Sequence, residues 1–219
     1  MSKIPVYFMP GLAASPLIFE RIKLPDNAFE MFFLEWILPV KGESLLDYVK
    51  RLTVQIKHPN PVLIGVSFGG IIVQEMAKII SVRKTIIISS VKSNTEFPRR
   101  MKFAKTTKVY KLLPTSWVKN FESLAKFAFG KPVVHRLELY KMYLSVRDPF
   151  YLAWALEQIV MWKQCECDPN VIHIHGDNDD VFPIKYIHNC SVVKGGTHIM
   201  ILNKYKWFNE NLPKIILEE

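Results

Sequence analysis

Residues 65–69 read Gly-Val-Ser-Phe-Gly, a G-x-S-x-G pattern centred on Ser67. A serine hydroxyl becomes a useful nucleophile when a base lies within hydrogen-bond reach and a third group fixes that base. The flanking glycines fit such a role. The hydroxyl must project above a sheet edge on a turn so tight that strand and helix nearly collide, and side chains two residues to either side would clash. An apolar run, Val62–Val66, precedes the motif and an apolar helical run, Gly69–Ile80, follows it. That places Ser67 at a helix N-terminus, where backbone N–H groups favour developing negative charge.

Six histidines compete for the role of base. His58 lies in a Pro-rich turn, and His135 lies in a basic central stretch as a substrate contact or a surface residue. His173 and His175 alternate on one face of a strand, which suggests structural roles, and His188 precedes a short apolar run. His198 differs: it follows Gly195-Gly196-Thr197 after the last strand candidate and precedes the C-terminal helix. A loop at the carboxyl end of a strand can reach the serine. The acid belongs on an earlier loop, and His175-Gly176-Asp177-Asn178-Asp179-Asp180 offers three aspartates. The cluster lacks the spacing and closing Glu of a calcium loop, so one of the three is the orienting acid; the residues alone do not choose among them.

The elements that must position these groups read as alternating strands and helices. Strands are expected at Val6–Met9, Met31–Trp36, Val62–Val66, Lys84–Ser89, Val171–His175 and Ser191–Val193. Helices are expected from Ser44 to about Ile56, with Ser44 as N-cap, over Gly69–Ile80, and from Leu202 to about Leu217, where Pro213 is a candidate break. This order predicts an α/β fold, with a mostly parallel sheet of about six strands flanked by helices. Continuous apolar strands fit a sheet covered on both faces. Residues 92–162 carry no strand signal and are punctuated by Pro98, Pro114, Gly130-Lys131-Pro132 and Asp148-Pro149. They read as a helical insertion at the sheet's carboxyl edge, splitting a core of residues 1–91 and 163–219.

Together, Pro10-Gly11-Leu12, the serine motif, His175-Gly176-Asp177-Asn178-Asp179 and Gly195-Gly196-Thr197-His198 resemble the α/β-hydrolase superfamily over almost the whole chain. The order Ser, Asp, His is that superfamily's order. The resemblance implies that Asp179, ending an H-G-x-x-D segment, is the acid, with Asp177 and Asp180 as turn residues. It implies oxyanion donors at the Phe68 and Leu12 N–H groups and a cap formed by residues 92–162. Two departures stand out: Met9-Pro10-Gly11 replaces the usual His-Gly, and no counterpart of the superfamily's leading hairpin is expected. The implied activity is that of a serine esterase acting on an ester, thioester or related acyl compound. The same scaffold also hosts lyases, acyltransferases and ligand-binding signalling proteins.

Composition bounds the partners. Net charge is +9, and residues 92–150 hold 13 Lys/Arg against 4 Asp/Glu, so the whole excess lies in this one stretch. That charge serves solubility, attraction of an anionic substrate such as a phosphate-bearing or CoA-linked ester, or contact with an anionic membrane surface. No nucleic-acid module is present, so nucleic acid is not an expected partner. Aromatics of the stretch, among them Phe103, Tyr110, Trp117, Phe121, Tyr151 and Trp154, pack the cap, and surplus ones would line an apolar pocket. Cys165 and Cys167 form a C-x-C pair that lacks the further ligands of a zinc site, and no cofactor or metal is expected. The N-terminus lacks the apolar region and cleavage site of a signal peptide, and no segment reaches about 18 apolar residues, so a cytoplasmic location is expected.

Overall fold

Five parallel pairings join six strands in the order β2-β1-β3-β4-β5-β6. They are β1 (Ile4–Met9), β2 (Phe29–Phe33), β3 (Val62–Val66), β4 (Lys84–Ile88), β5 (Val171–Gly176) and β6 (Ser191–Val193). The structure, a computed structural model, describes residues 3–107 and 142–218. His135, Tyr110, Trp117 and Phe121 lie outside the described residues, as does the middle of the stretch assigned from sequence to a cap. Every residue of β3 is buried, as are four of five in β4. This is the pattern of strands covered on both faces.

The helices follow from local chemistry. In α1 (Leu45–Leu52), Ser44 is the N-cap: its Oγ accepts from the Asp47 N–H at 3.2 Å and donates to Asp47 Oδ2 at 2.7 Å. Lys50 and Arg51 occupy the last turn, where cations suit the helix dipole. A short 3-10 turn, Thr53–Gln55, replaces the expected continuation to Ile56. α2 (Phe68–Ala77) runs directly out of the serine motif, and α3 is Arg99–Thr107. α4 (Pro149–Val160) starts on Asp148, which accepts from the Tyr151 N–H at 2.8 Å, with Pro149 supplying a preset φ. The expected C-terminal helix is two: α5 (Met200–Asn203) and α6 (Tyr205–Leu217), separated at Lys204. Pro213 sits inside α6 without ending it.

β2 departs from expectation. It pairs with β1 from Ile4↔Phe29 to Phe8↔Phe33, so it ends three residues before Trp36. The Trp36 indole leaves the sheet edge and stacks on Phe68, with centroids 5.2 Å apart and rings 9° from parallel. Its Nε1–H donates to the Gly11 carbonyl at 2.9 Å. A buried indole needs such a partner, and that tertiary requirement outweighs the apolar run's strand signal.

The topology creates the crevice. The chain steps from β1 to β2 on one side, then returns through α1 to β3 on the other side of β1. Strand order therefore reverses between β1 and β3, where ligands bind in open parallel sheets, at the carboxyl ends. Gly11 and Ser67 lie at those two ends. α4 packs above them: Tyr151 and Leu152 are fully buried, the Tyr151 ring meets Trp36 at 5.6 Å, and the Trp154 ring meets Phe68 at 6.5 Å. The Trp154 indole also donates to the Glu43 carbonyl at 2.8 Å. Among the described residues, no helix is long and apolar enough to cross a membrane.

Candidate active site

Ser67 sits between β3 and α2 with φ 53° and ψ −119°, a conformation that favours glycine. Its neighbours hold it there. Its N–H donates to the Ile88 carbonyl at 2.9 Å, and its carbonyl accepts from the Gly70 N–H at 2.9 Å and the Ser90 hydroxyl at 2.7 Å. The two motif glycines are required by close approach: a Cβ on Gly65 would overlap the Gly69 backbone, and one on Gly69 would overlap the Met9 and Pro10 carbonyls. The helix start is thus pressed against both neighbouring strands, and the serine oxygen projects from the turn.

Ser67 Oγ lies 3.0 Å from His198 Nε2, and His198 Nδ1 lies 2.9 Å from Asp179 Oδ2. A carboxylate accepts, so Nδ1 carries the proton and Nε2 presents its lone pair to the Ser67 hydroxyl. The structure thus brings together three residues far apart in sequence, at the lengths acyl-transfer chemistry needs. Asp179 is 4% exposed and fully engaged: Oδ1 accepts from the Val181 and Phe182 N–H groups at 2.8 and 2.9 Å. Burial opposes its ionisation, yet the charge and hydrogen bond of His198, aided by His175 and the Phe182 N–H, outweigh it. The carboxyl is held below the usual carboxylate range.

The loops bearing Asp179 and His198 are stitched to each other. The Asp177 carboxylate accepts from the Gly195 N–H at 2.6 Å, and the Asn178 N–H donates to the Gly196 carbonyl at 2.9 Å. Gly176 and Gly196 approach so closely that a Cβ on either would strike the other's backbone. Asp177 is therefore the clamp between the two loops. Arg100, from α3, donates to the carbonyls of Asp180 and Val181 at 2.8 and 2.7 Å.

The predicted oxyanion donors lie on the two strand ends that flank the crevice. Among the described residues, neither the Leu12 nor the Phe68 N–H has a hydrogen-bond partner. The other histidines fall elsewhere. His58 Nδ1 meets the Tyr7 hydroxyl at 2.7 Å, and the His188 N–H donates to buried Glu96 at 3.0 Å.

One contributor escaped the sequence reading: Trp36, which braces Gly11 and Phe68; His173 and His175 are buried and hydrogen-bonded, in keeping with the structural roles that their alternation suggested. His175 Nε2 lies 2.8 Å from the Phe182 carbonyl and 3.5 Å from Asp179 Oδ2, and its Nδ1 lies 3.0 Å from His173 Nε2. A carbonyl only accepts, so His175 carries its proton on Nε2 and receives the His173 N–H at Nδ1. Burial pushes His175 below the ordinary imidazole range. Burial, followed by the charges of His175 and Lys92, pushes His173 well below it. Both rings are therefore neutral struts beneath the Asp179 loop. Their i, i+2 spacing on one buried strand face puts the two imidazoles side by side.

No family model matches the sequence, and no curated protein matches it. Solved structures do match across the length of the chain. An alpha/beta hydrolase fold protein from Burkholderia ambifaria superposes with a TM-score of 0.64 at 14% identity, covering 97% of this chain and 91% of that one. The chain has the α/β-hydrolase fold. Other α/β-hydrolase-fold structures that it resembles include a bromoperoxidase from Bacillus anthracis, with a TM-score of 0.67 at 19% identity, covering 100% of this chain and 93% of that one. An esterase from Exiguobacterium antarcticum matches with a TM-score of 0.63 at 19% identity, covering 99% and 93%. Within the α/β-hydrolase fold, the Ser67 turn, the Asp179 loop and the His198 loop all stand at the carboxyl edge of the sheet.

Proposed function

We propose that this chain is a serine hydrolase that cleaves a carboxylic ester, thioester or related acyl compound through an acyl-enzyme on Ser67. The observation that carries the reading is the unbroken hydrogen-bond line from Ser67 Oγ through His198 to the buried Asp179 carboxylate. Ser67 Oγ attacks the acyl carbon as its proton passes to His198 Nε2, and Asp179 stabilises the imidazolium. The carbonyl oxygen becomes an oxyanion facing the Leu12 and Phe68 N–H groups. Losing a donor of this kind costs about 2.7–4 kcal/mol. Collapse breaks the bond to the leaving group, which takes the proton from His198. Water, deprotonated by His198, then attacks the acyl-enzyme and releases the acid.

Residues 92–162 act as the cap over this site: α4, their described C-terminal part, already lies on Trp36 and Phe68. Their confined positive charge favours an anionic substrate over a cationic one. The test is labelling of the purified protein by a fluorophosphonate, with Ser67→Ala alongside. Stoichiometric labelling that disappears in the variant is expected, with turnover of any ester substrate falling by about 10⁴-fold or more. A folded sample that fails to label, or a variant that keeps its activity, overturns the reading.

A further inference from the structure

Ser67 and His198 open onto a cavity of ≈ 20 Å³. A single water needs about 10–15 Å³ on this measure, so the space holds one or two groups of that size. Its walls come from three places. Leu12, Ala14 and Ile18 belong to the segment after β1, Val66 ends β3, and Ile201 and Leu202 lie just beyond His198. Apart from Ser67 and His198, every lining side chain is apolar, so a charged or hydrogen-bonding substituent would be stranded there.

The walls are also firm. Leu12, Ile18 and Val66 are buried in the same core cluster as β1 and β3, and Leu202 stands on α5 beside α6. The fold does form larger spaces: cavities of ≈ 540 and ≈ 550 Å³ lie along Phe33–Trp36 and along Gln164–Pro169. Neither includes Ser67 or His198. Of these three spaces among the described residues, the one lined by Ser67 and His198 is the smallest.

One part of an acyl substrate must occupy this space through the covalent step. The leaving group departs once His198 protonates it, whereas the acyl group stays bonded to Ser67 Oγ until water releases it. A small apolar cavity beside the serine suits the part that stays bonded there. We infer that this cavity is the acyl subsite and that it restricts the enzyme to acetyl and propionyl groups. The inference rests on the reading of Ser67 as an acyl-forming nucleophile.

The experiment compares kcat/KM across p-nitrophenyl acetate, propionate, butyrate, hexanoate and octanoate, with fluorophosphonate labelling of the same sample. A second series holds the acyl group as acetate and lengthens the alcohol from methyl to octyl. The expected result is a maximum at acetate or propionate, with a fall of about tenfold or more by hexanoate. The alcohol series should vary far less. Leu202→Ala and Ile18→Ala, made separately and each checked by labelling, should move the maximum to butyrate or hexanoate. A wild-type profile that is flat or rises to octanoate, in protein that labels, overturns the inference and leaves the hydrolase reading standing. A steep fall confined to the alcohol series assigns the cavity to the leaving group and overturns it too. Labelled variants whose maximum stays at acetate refute these residues as the walls. Absence of both labelling and turnover overturns the hydrolase reading and this inference with it.

Discussion

The two ends of the sheet handle backbone strain differently. At the carboxyl edge, Ala13, Ser67 and Ser89 follow β1, β3 and β4 with φ of 60°, 53° and 48°. At the opposite edge, Asn60 precedes β3 and Asn189 precedes β6, with φ of 53° and 48°. Asparagine accepts this region readily, whereas alanine and serine do so at a real cost. The carboxyl edge also holds buried Asp179, His175 and His198, while charged residues such as Asp168, just before β5, face solvent. Strain and buried polarity thus coincide at one edge, in residue types that would not choose either. Such coincidence marks the end of a fold that is held in shape for a task rather than for stability.

The largest effect that would sharpen this contrast comes from matched aspartates at the two ends of β5. On the proposed mechanism, Asp179→Asn should lower kcat by about 10⁴ while the protein stays folded, because an amide no longer fixes the His198 tautomer. Asp168→Asn should change kcat by less than about twofold. The exposed Asp168 carboxylate accepts from the Asn170 N–H, at 2.8 Å, and surface changes of this kind are usually within about 0.5 kcal/mol in stability. Equal losses from both variants, measured as steady-state rates on one ester, would erase the functional difference between the edges.

A second effect appears as pH dependence. His173 and His175 stay neutral in the fold because burial lowers their pKa, whereas the unfolded chain protonates them below about pH 6.5. The unfolded state then binds more protons, so stability falls as pH drops through that value, by up to about 1.4 kcal/mol per pH unit for each histidine. Asp179 acts in the same direction at lower pH: its carboxyl is held down in the fold, so its contribution is present above the unfolded value of about 3.9 and is lost as pH falls through its folded pKa. His173→Gln keeps an N–H donor for His175 Nδ1 but cannot titrate. It should therefore show a shallower decline in Tm between pH 7.5 and 5.5 by calorimetry. Identical slopes would mean that the strand histidines are not held neutral.

What could be read from sequence tracks how local the signal is. Gly65 pressed against Gly69, apolar runs at β3 and β4, and the Ser44 cap all depend on residues close to one another in sequence, and these elements lie where the pattern puts them. The stitches across the chain were invisible. Trp36 bonds to Gly11, Asp177 to Gly195 and Arg100 to the carbonyls after Asp179, and each partner is chosen by the folded sheet. The end of β2 was misplaced for the same reason, since an aromatic in an apolar run looks like strand until its indole finds a carbonyl on another loop. Asp179 could be told from Asp177 and Asp180 only through resemblance. Geometry separates them by burial, and separates Asp179 from Asp177 by what the two carboxylates accept.

The smallest effect tests the strain itself. With φ 53° and ψ −119°, Ser67 occupies a conformation that glycine adopts freely, and such positions cost about 1–3 kcal/mol for other residues. Ser67→Gly relieves that cost. Against it stand about 0.5–1 kcal/mol from glycine's freedom in the unfolded chain and about 1 kcal/mol from the lost bond to His198. Strain at the upper end of that range leaves a net stabilisation of about 1 kcal/mol, which for a chain of this size raises Tm by about 2–4 °C, in a protein with no turnover. Asn60→Gly at the other edge relieves nothing, because asparagine already tolerates its φ, and it also removes the Ser81 hydroxyl's acceptor at 2.9 Å. Its Tm should be unchanged or slightly lower. A Ser67→Gly protein that melts below the parent would show that the serine turn stores less strain than the about 1.5–2 kcal/mol that the substitution loses. The contrast between the two edges would then rest mainly on buried polarity.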